Sequence, residues 1–208
     1  MGFDVSEADR LLMTTRSVRR RLDRGRPVPL SLVQEALGVA VQAPTSGGGE
    51  DWRWLVITDA EIRAEIGAVY RRASLAVQRP PSATPSPQER SDASFTDHLG
   101  EVPVLVLACY QKRPWHARSP YRALVDASVY GSVFPAVWSF QLALRARGLA
   151  SCFAASHLRF ADEVAALVGL PDDVGQAGLV AVGWPDRDEF RPARRRPTAE
   201  VVRFDRWS

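Results

Sequence analysis

The 208-residue chain is poor in several residue types, and each shortage excludes something. Its only two cysteines, Cys109 and Cys152, stand apart in apolar stretches. That excludes a disulfide scaffold and predicts two buried free thiols. Three scattered histidines, His98, His116 and His157, give no zinc-like spacing with those cysteines, so no metal site is expected. No run of 18 apolar residues occurs, which excludes a membrane-spanning helix. The opening MGFDVSEADR carries acids and no apolar core, unlike a secretory signal, so a cytoplasmic protein is expected. Lysine is nearly missing: of 27 basic residues only Lys112 is not arginine. With 24 acids the net charge is +3, too small to argue for a nucleic-acid partner.

What is present is ordinary for a globular chain, 46% hydrophobic and 25% charged. A single domain over 1–208 is expected, because no linker separates two cores. Ser6 followed by Asp9 predicts a helix start of the capping-box kind before Leu11 and Leu12. Val33, Ala36, Leu37, Ala40 and Val41 follow helical spacing from Leu30 until Pro44 stops them. Residues 52–58 predict a strand, and Asp59 a cap for a helix carrying Ile62, Ile66 and Val69. Residues 79–94, rich in Pro and Ser, predict a mobile surface loop. Residues 102–110 are almost continuously apolar, the mark of a strand buried on both faces. Residues 111–121 read as irregular. A long helix is expected over 123–147, bent or broken at Pro135 and stopped by Gly148. A strand over 149–154, a helix over 160–170 and a strand over 177–184 complete the core. The irregular, Arg-rich tail from 185 ends in Phe204 and Trp207, aromatics that need a surface to pack on, such as a second subunit. Helices and strands in mixed order give an α+β architecture.

Catalytic side chains are hard to find. There is no GxSxG elbow. Cys152 and His157 are the only Cys–His pair close in sequence, and five residues across a strand end seldom bring imidazole to thiol. Adjacent acids, as in Asp172-Asp173 and Asp188-Glu189, do not face one another and read as caps or solvated loops. Glu50-Asp51 stays of interest because it follows Gly47-Gly48-Gly49. That glycine run lies between a helix and a strand, the reverse of a Rossmann or P-loop order, so it is no phosphate cradle. It can still let a planar ligand approach closely. The sharpest local feature is Thr15-Arg16-Ser17-Val18-Arg19, a compact set of anion donors. A second basic cluster, Arg194-Arg195-Arg196, lies far along the chain. Two separated clusters in a nearly neutral chain suggest convergence on one anionic group. A nucleic-acid surface is the rival and calls for aromatic platforms among the basic residues.

These segments, in this order, resemble the FMN-dependent nitroreductase family over nearly the whole chain. Thr15–Arg19 is similar to its Arg-Ser-x-Arg signature, and Ala43-Pro44-Thr45-Ser46 with the strand from Trp52 to its Ala-Pro-Ser-Ser loop and first strand. Leu142–Ser151 resembles its long helix and Gly-Leu-Gly-Ser turn. Ala181–Pro185 resembles its last core strand, and Arg194–Pro197 its C-terminal phosphate-binding stretch. The resemblance implies an α+β fold with a central, mixed but mainly antiparallel sheet flanked by helices, in an intertwined homodimer whose 185–208 extensions wrap the partner. It implies FMN at the subunit interface. Arg16, Ser17, Val18, Arg19, Arg195 and Arg194 would hold phosphate and ribityl. Pro44, Thr45, Ser46 and Gly48 of the partner would line the ring, with Ala155 and Ser156 near its N5 and O4 edge. NADH or NADPH would donate hydride to the flavin and a small organic acceptor would take it, so no side-chain acid or nucleophile is required. A flavin-binding protein with little turnover, or a specialised dehydrogenase, is the alternative within the same fold. Thr15, Gly48 and Glu50 depart from the family's usual Arg, Asn and Gln. Glycine cannot replace an amide hydrogen bond to the flavin, and an ionised Glu only accepts.

Overall fold

The computed structural model describes residues 2–76, 84–187 and 189–207. Residues 79–83 of the expected loop lie outside them. The chain opens with α1 (Val5–Thr14), followed by β1 (Leu22–Asp23), α2 (Leu30–Ala40), β2 (Trp52–Ile57) and α3 (Ala60–Leu75). Next come α4 (Pro87–His98), β3 (Val104–Gln111), the short α5 (Pro114–Arg118) and the long α6 (Arg122–Ala146). The order ends with β4 (Ala150–Ala154), α7 (Ala161–Val168), β5 (Val174–Pro185) and the one-turn α8 (Thr198–Val201). Strands β2, β3, β5 and β4 lie side by side with antiparallel neighbours, and β1 pairs with the last residues of β5. Among the described residues the one parallel link is a bridge between Ser17 and Ser151.

Alternation along β3 and β5 explains the layering. Leu105, Leu107, Cys109, Leu179 and Ala181 join one core with Ile66, Tyr70, Phe95 and Val164 from α3, α4 and α7. Val104, Val106, Ala108, Val180 and Val182 join another with Val33 of α2 and Val137, Phe140 and Leu144 of α6. The apolar run over 104–109 is therefore buried on both faces, as its composition predicts. Each large side chain fully buried there contributes about 1.5–3 kcal/mol. Gly178 makes room for Phe153, because a Cβ at 178 would stand 2.2 Å from that ring.

Four local expectations need correction. Asp4, not Ser6, caps α1: its carboxylate accepts from the Ser6 and Glu7 amides at 2.9 and 3.2 Å. Residues 87–94, expected in a loop, form the start of α4. There Pro87 opens the first turn while Ser86 and Glu89 close a reciprocal capping box. Residues 114–118 of the stretch read as irregular form α5. Helix α6 runs through Pro135 as one continuous element instead of breaking. Asp59 caps α3 as expected, accepting from Glu61 and Ile62 at 3.0 and 2.9 Å.

Candidate functional site

The segment after α1 is held to the open edge of β4. The Val18 amide donates to the Ser151 carbonyl at 2.9 Å, and the Val18 side chain is buried. Behind it, buried Gln141 of α6 donates to Ser151 Oγ at 3.1 Å. The anchor turns Arg16, Ser17 and Arg19 towards one cavity of about 950 Å³. Arg20 and Arg21 line it as well, and so do Arg187 and Arg191 from the chain after β5. Pairing of β1 with β5 explains the meeting. Leu22 stands opposite Pro185, the Asp186 amide donates to the Arg21 carbonyl at 3.0 Å, and Arg145 of α6 lies 4.6 Å over the Phe190 ring.

The expected convergence of the Arg194–Arg196 cluster on the N-terminal arginines is not what the cavity shows; other C-terminal arginines line it. Arg187 and Arg191 reach the cavity, whereas Arg194 and Arg195 are exposed and do not line it. The β1–β5 pairing and the Arg145–Phe190 contact hold Asp186 and Phe190 beside the N-terminal segment, and among the described residues beyond Pro192 no such tie is found. Helix α4 adds a wall that sequence reasoning missed, with Pro87, Gln88 and Ser91. The Ser86–Glu89 capping pattern was the available signal. Asp92 on the same helix pairs with Arg19 at 3.2 Å, and Asp186 stands 3.9 Å from Arg21. Among the described residues Arg16, Arg20, Arg187 and Arg191 make no ion pair. Glu189 lines the same opening, but four guanidinium groups without an ion pair outnumber it and repel each other, and an anion between them would relieve that repulsion.

Strand β4 runs from this cavity towards the other expected contacts. Ala155 and Ser156 follow its end, four residues and therefore ~13 Å beyond Ser151. Ala155 is exposed and Ser156 half-buried at the start of a 3-10 turn. Pro44, Thr45, Ser46 and Gly48 are not brought to the cavity. They lie between α2 and β2, where the Ser46 amide donates to Ser132 Oγ of α6 at 2.9 Å. Gly48 is exposed with a left-handed φ of 70°, and Glu50 points to solvent. Asp51 pairs with Arg113.

The Cys–His pair dissolves in the structure. Both thiols are buried and free, and burial pushes Cys109 up to about 12 and Cys152 up to about 11, with Arg19 pulling Cys152 the other way. His157 is fully buried, neither of its ring nitrogens has a hydrogen-bond partner, and burial lowers it to about 4. A neutral imidazole with no hydrogen bond among the described residues, and a protonated thiol, make no nucleophilic pair. Among the described residues no group of His, Cys, Asp and Glu could hold a metal ion, and no helix is long and apolar enough to cross a membrane.

Comparison with known proteins follows the same line. The sequence profile of the nitroreductase family matches residues 12–184. An NADH dehydrogenase of Thermus thermophilus is 30% identical over 207 residues, covering 95% of this chain and 96% of that protein. An iodotyrosine deiodinase of Thermotoga neapolitana is 28% identical, over 92% of this chain and 94% of its own. Among solved structures, an oxidized iodotyrosine deiodinase bound to FMN and 3-iodo-L-tyrosine shares the fold with a TM-score of 0.71 at 24% identity, covering 95% of this chain and 98% of that one.

Proposed function

The chain belongs to the nitroreductase family of oxidoreductases, and from that premise we propose that it binds FMN in the arginine-lined cavity and carries hydride from NADH or NADPH to a small organic acceptor. The observation that carries this reading is the convergence of Arg16, Arg20, Arg187 and Arg191, unpaired among the described residues, on one opening. A phosphate monoester brings about two negative charges and three acceptor oxygens. Forked guanidinium donors match that group. The residues present therefore fit FMN, the cofactor of this family.

When bound, FMN would supply the hydride-transfer chemistry that no side chain of the protein offers. The chain supplies position. Arg16, Ser17 and Arg19 fix the phosphate from a segment hydrogen-bonded to β4, so the anchor cannot drift from the sheet. Val18 contributes through its amide and its buried side chain, which hold that segment in place. Ala155 and Ser156, farther along the same strand, stand where the ring edge would lie. No side chain need accept or donate a proton in this reading, which agrees with the lack of a paired nucleophile.

We infer a homodimer as well. Leu124, Phe134 and Trp138 are exposed along α6, at 57%, 41% and 42%, and Phe204 and Trp207 are exposed in the tail at 85% and 89%. Helical spacing puts 124, 134 and 138 on one side of α6. An aromatic face of this kind marks a protein–protein interface. In such a dimer Pro44, Thr45, Ser46 and Gly48 of one subunit would line the flavin held by the other, which accounts for their distance from the cavity of their own chain. The test is spectroscopic. Purified protein should show flavin absorption bands, or acquire them with added FMN, and anaerobic NADH or NADPH should bleach them. Protein that takes up no FMN overturns the assignment, and protein that takes it up but is not bleached leaves a flavin carrier.

A further inference from the structure

The glycine run before β2 cannot hold itself in place. Gly47 and Gly48 are exposed, with left-handed φ of 59° and 70°. Among the described residues nothing lies within 4 Å of where a side chain on either would begin. Three successive glycines offer no side chain to pack, and glycine loses more backbone freedom on ordering than any other residue. Such a loop keeps one shape only if its two ends are fixed.

Helix α6 fixes the first end. The Ser46 amide donates to Ser132 Oγ, and that hydroxyl donates in turn to the Ser128 carbonyl at 2.8 Å. The second end is Asp51, held both by its backbone and by its side chain. Its carbonyl accepts from the amide of Gln111, the last residue of β3, at 2.7 Å. Its Oδ1 accepts from two nitrogens of the Arg113 guanidinium, Nε at 2.7 Å and a terminal nitrogen. Its Oδ2 lies against Gly49, 3.3 Å from where a Cβ on that residue would stand. The carboxylate is thus wedged between Arg113 and the last glycine of the run. Arg113 is itself fixed: its amide donates to His116 Nδ1 at 3.1 Å, and Pro114 opens α5 directly after it. Arg53, the other cation nearby, donates to the Glu50 and Trp52 carbonyls at 2.9 Å, while the Glu50 side chain is exposed. Ser46 and Asp51 line one narrow cleft together with Trp115 and His116 of α5 and Ser128 and Ser132 of α6, so the loop rests on both helices.

We propose that Arg113 is a positioning residue for the flavin ring: through Asp51 it holds the Gly47–Gly49 loop in the shape that meets the ring bound by the other subunit. The role towards the ring rests on the flavin reading of this loop, whereas the pinning of the loop does not. The pair is part-exposed, and such pairs are weak, so its loss should loosen the loop without unfolding the chain. A loosened loop must be ordered again when the ring binds, and that cost appears as lost affinity.

Two measurements test this. In fluorescence titrations of the apoprotein, Arg113→Ala should weaken FMN and riboflavin by the same factor, about fivefold, because the two flavins share the ring. Asp51→Asn should do the same, the double variant should lose no more than either single one, and Arg113→Lys should recover part of the loss. In apoprotein labelled with 15N-glycine, the amide order parameters of Gly47, Gly48 and Gly49 should fall in Arg113→Ala and in Asp51→Asn, while that of Gly178 in the sheet stays as in the parent. Unchanged order parameters in the loop overturn the proposal. So do unchanged affinities for both flavins in Arg113→Ala, a loss confined to FMN, or losses that add in the double variant. Parent protein that takes up neither flavin overturns the flavin reading itself, and the role of Arg113 towards the ring with it.

Discussion

Substituting the cavity's arginines one at a time separates their roles, because the structure makes them unequal. Arg16 makes no ion pair among the described residues, while Arg19 shares its charge with Asp92 at 3.2 Å. A charged hydrogen bond contributes ~1.5–3 kcal/mol, so Arg16→Ala should weaken FMN binding roughly 10- to 150-fold. Arg19→Ala should cost less, because FMN must compete with Asp92 for that guanidinium. The Arg19–Asp92 pair is half-exposed, with side chains 29% and 44% accessible. Pairs of that kind contribute ~0–1 kcal/mol, so Asp92→Asn should tighten FMN by no more than about fivefold. Quenching of FMN fluorescence on titration with apoprotein, at fixed ionic strength, measures all three. The reasoning fails if Arg16→Ala binds FMN within twofold of the parent, or if Asp92→Asn weakens binding.

Other consequences are as concrete. Arg191→Ala should lower FMN affinity more than Arg195→Ala, because Arg191 lines the cavity and Arg195 does not; equal effects in the same titration contradict that placement. His157 bears on acid stability. Its folded value, about 4, lies below the ordinary ~6.5, so the unfolded chain takes the proton first as pH falls. Its contribution is whole above about pH 6.5 and is lost progressively down to about 4, on the order of 3 kcal/mol. Melting of the parent against His157→Leu between pH 7 and 4.5 should show the gap changing in favour of the variant, and parallel curves contradict it. Gly178→Ala should destabilise by about 1–3 kcal/mol through the clash with Phe153, read as a lower Tm. Cys109 and Cys152, buried and with raised values, should react with thiol reagents only after unfolding.

The core was the most legible part of the sequence. Runs such as 104–109 and the helical spacing of Val33, Ala36 and Ala40 encode burial directly, so β3 and α2 could be read from residue types alone. Elements specified by a few hydrogen bonds were harder. Strand β1 is two residues long and exists only because β5 lies beside it, which no local pattern signals. Helix α4 was hidden by its Pro- and Ser-rich start, although Ser86, Pro87 and Glu89 form a complete helix-opening motif. Pro135 argued for a bend or a break, and tertiary packing of Val133, Ala136, Val137 and Phe140 against the sheet keeps α6 continuous. At the site, Thr15–Arg19 was legible as a compact donor set. The identity of the C-terminal arginines was not, because Arg187 and Arg191 are only two of several in an Arg-rich tail and are selected by the β1–β5 pairing.

Comparing FMN with riboflavin, which lacks only the phosphate, tests the central claim most directly. Calorimetric titration of the apoprotein should show FMN binding at least a hundredfold more tightly, an advantage that falls sharply with added salt and nearly vanishes when Arg16 and Arg191 are both changed to Ala. Equal affinity for the two flavins would contradict the assignment of the converging arginines to a flavin phosphate.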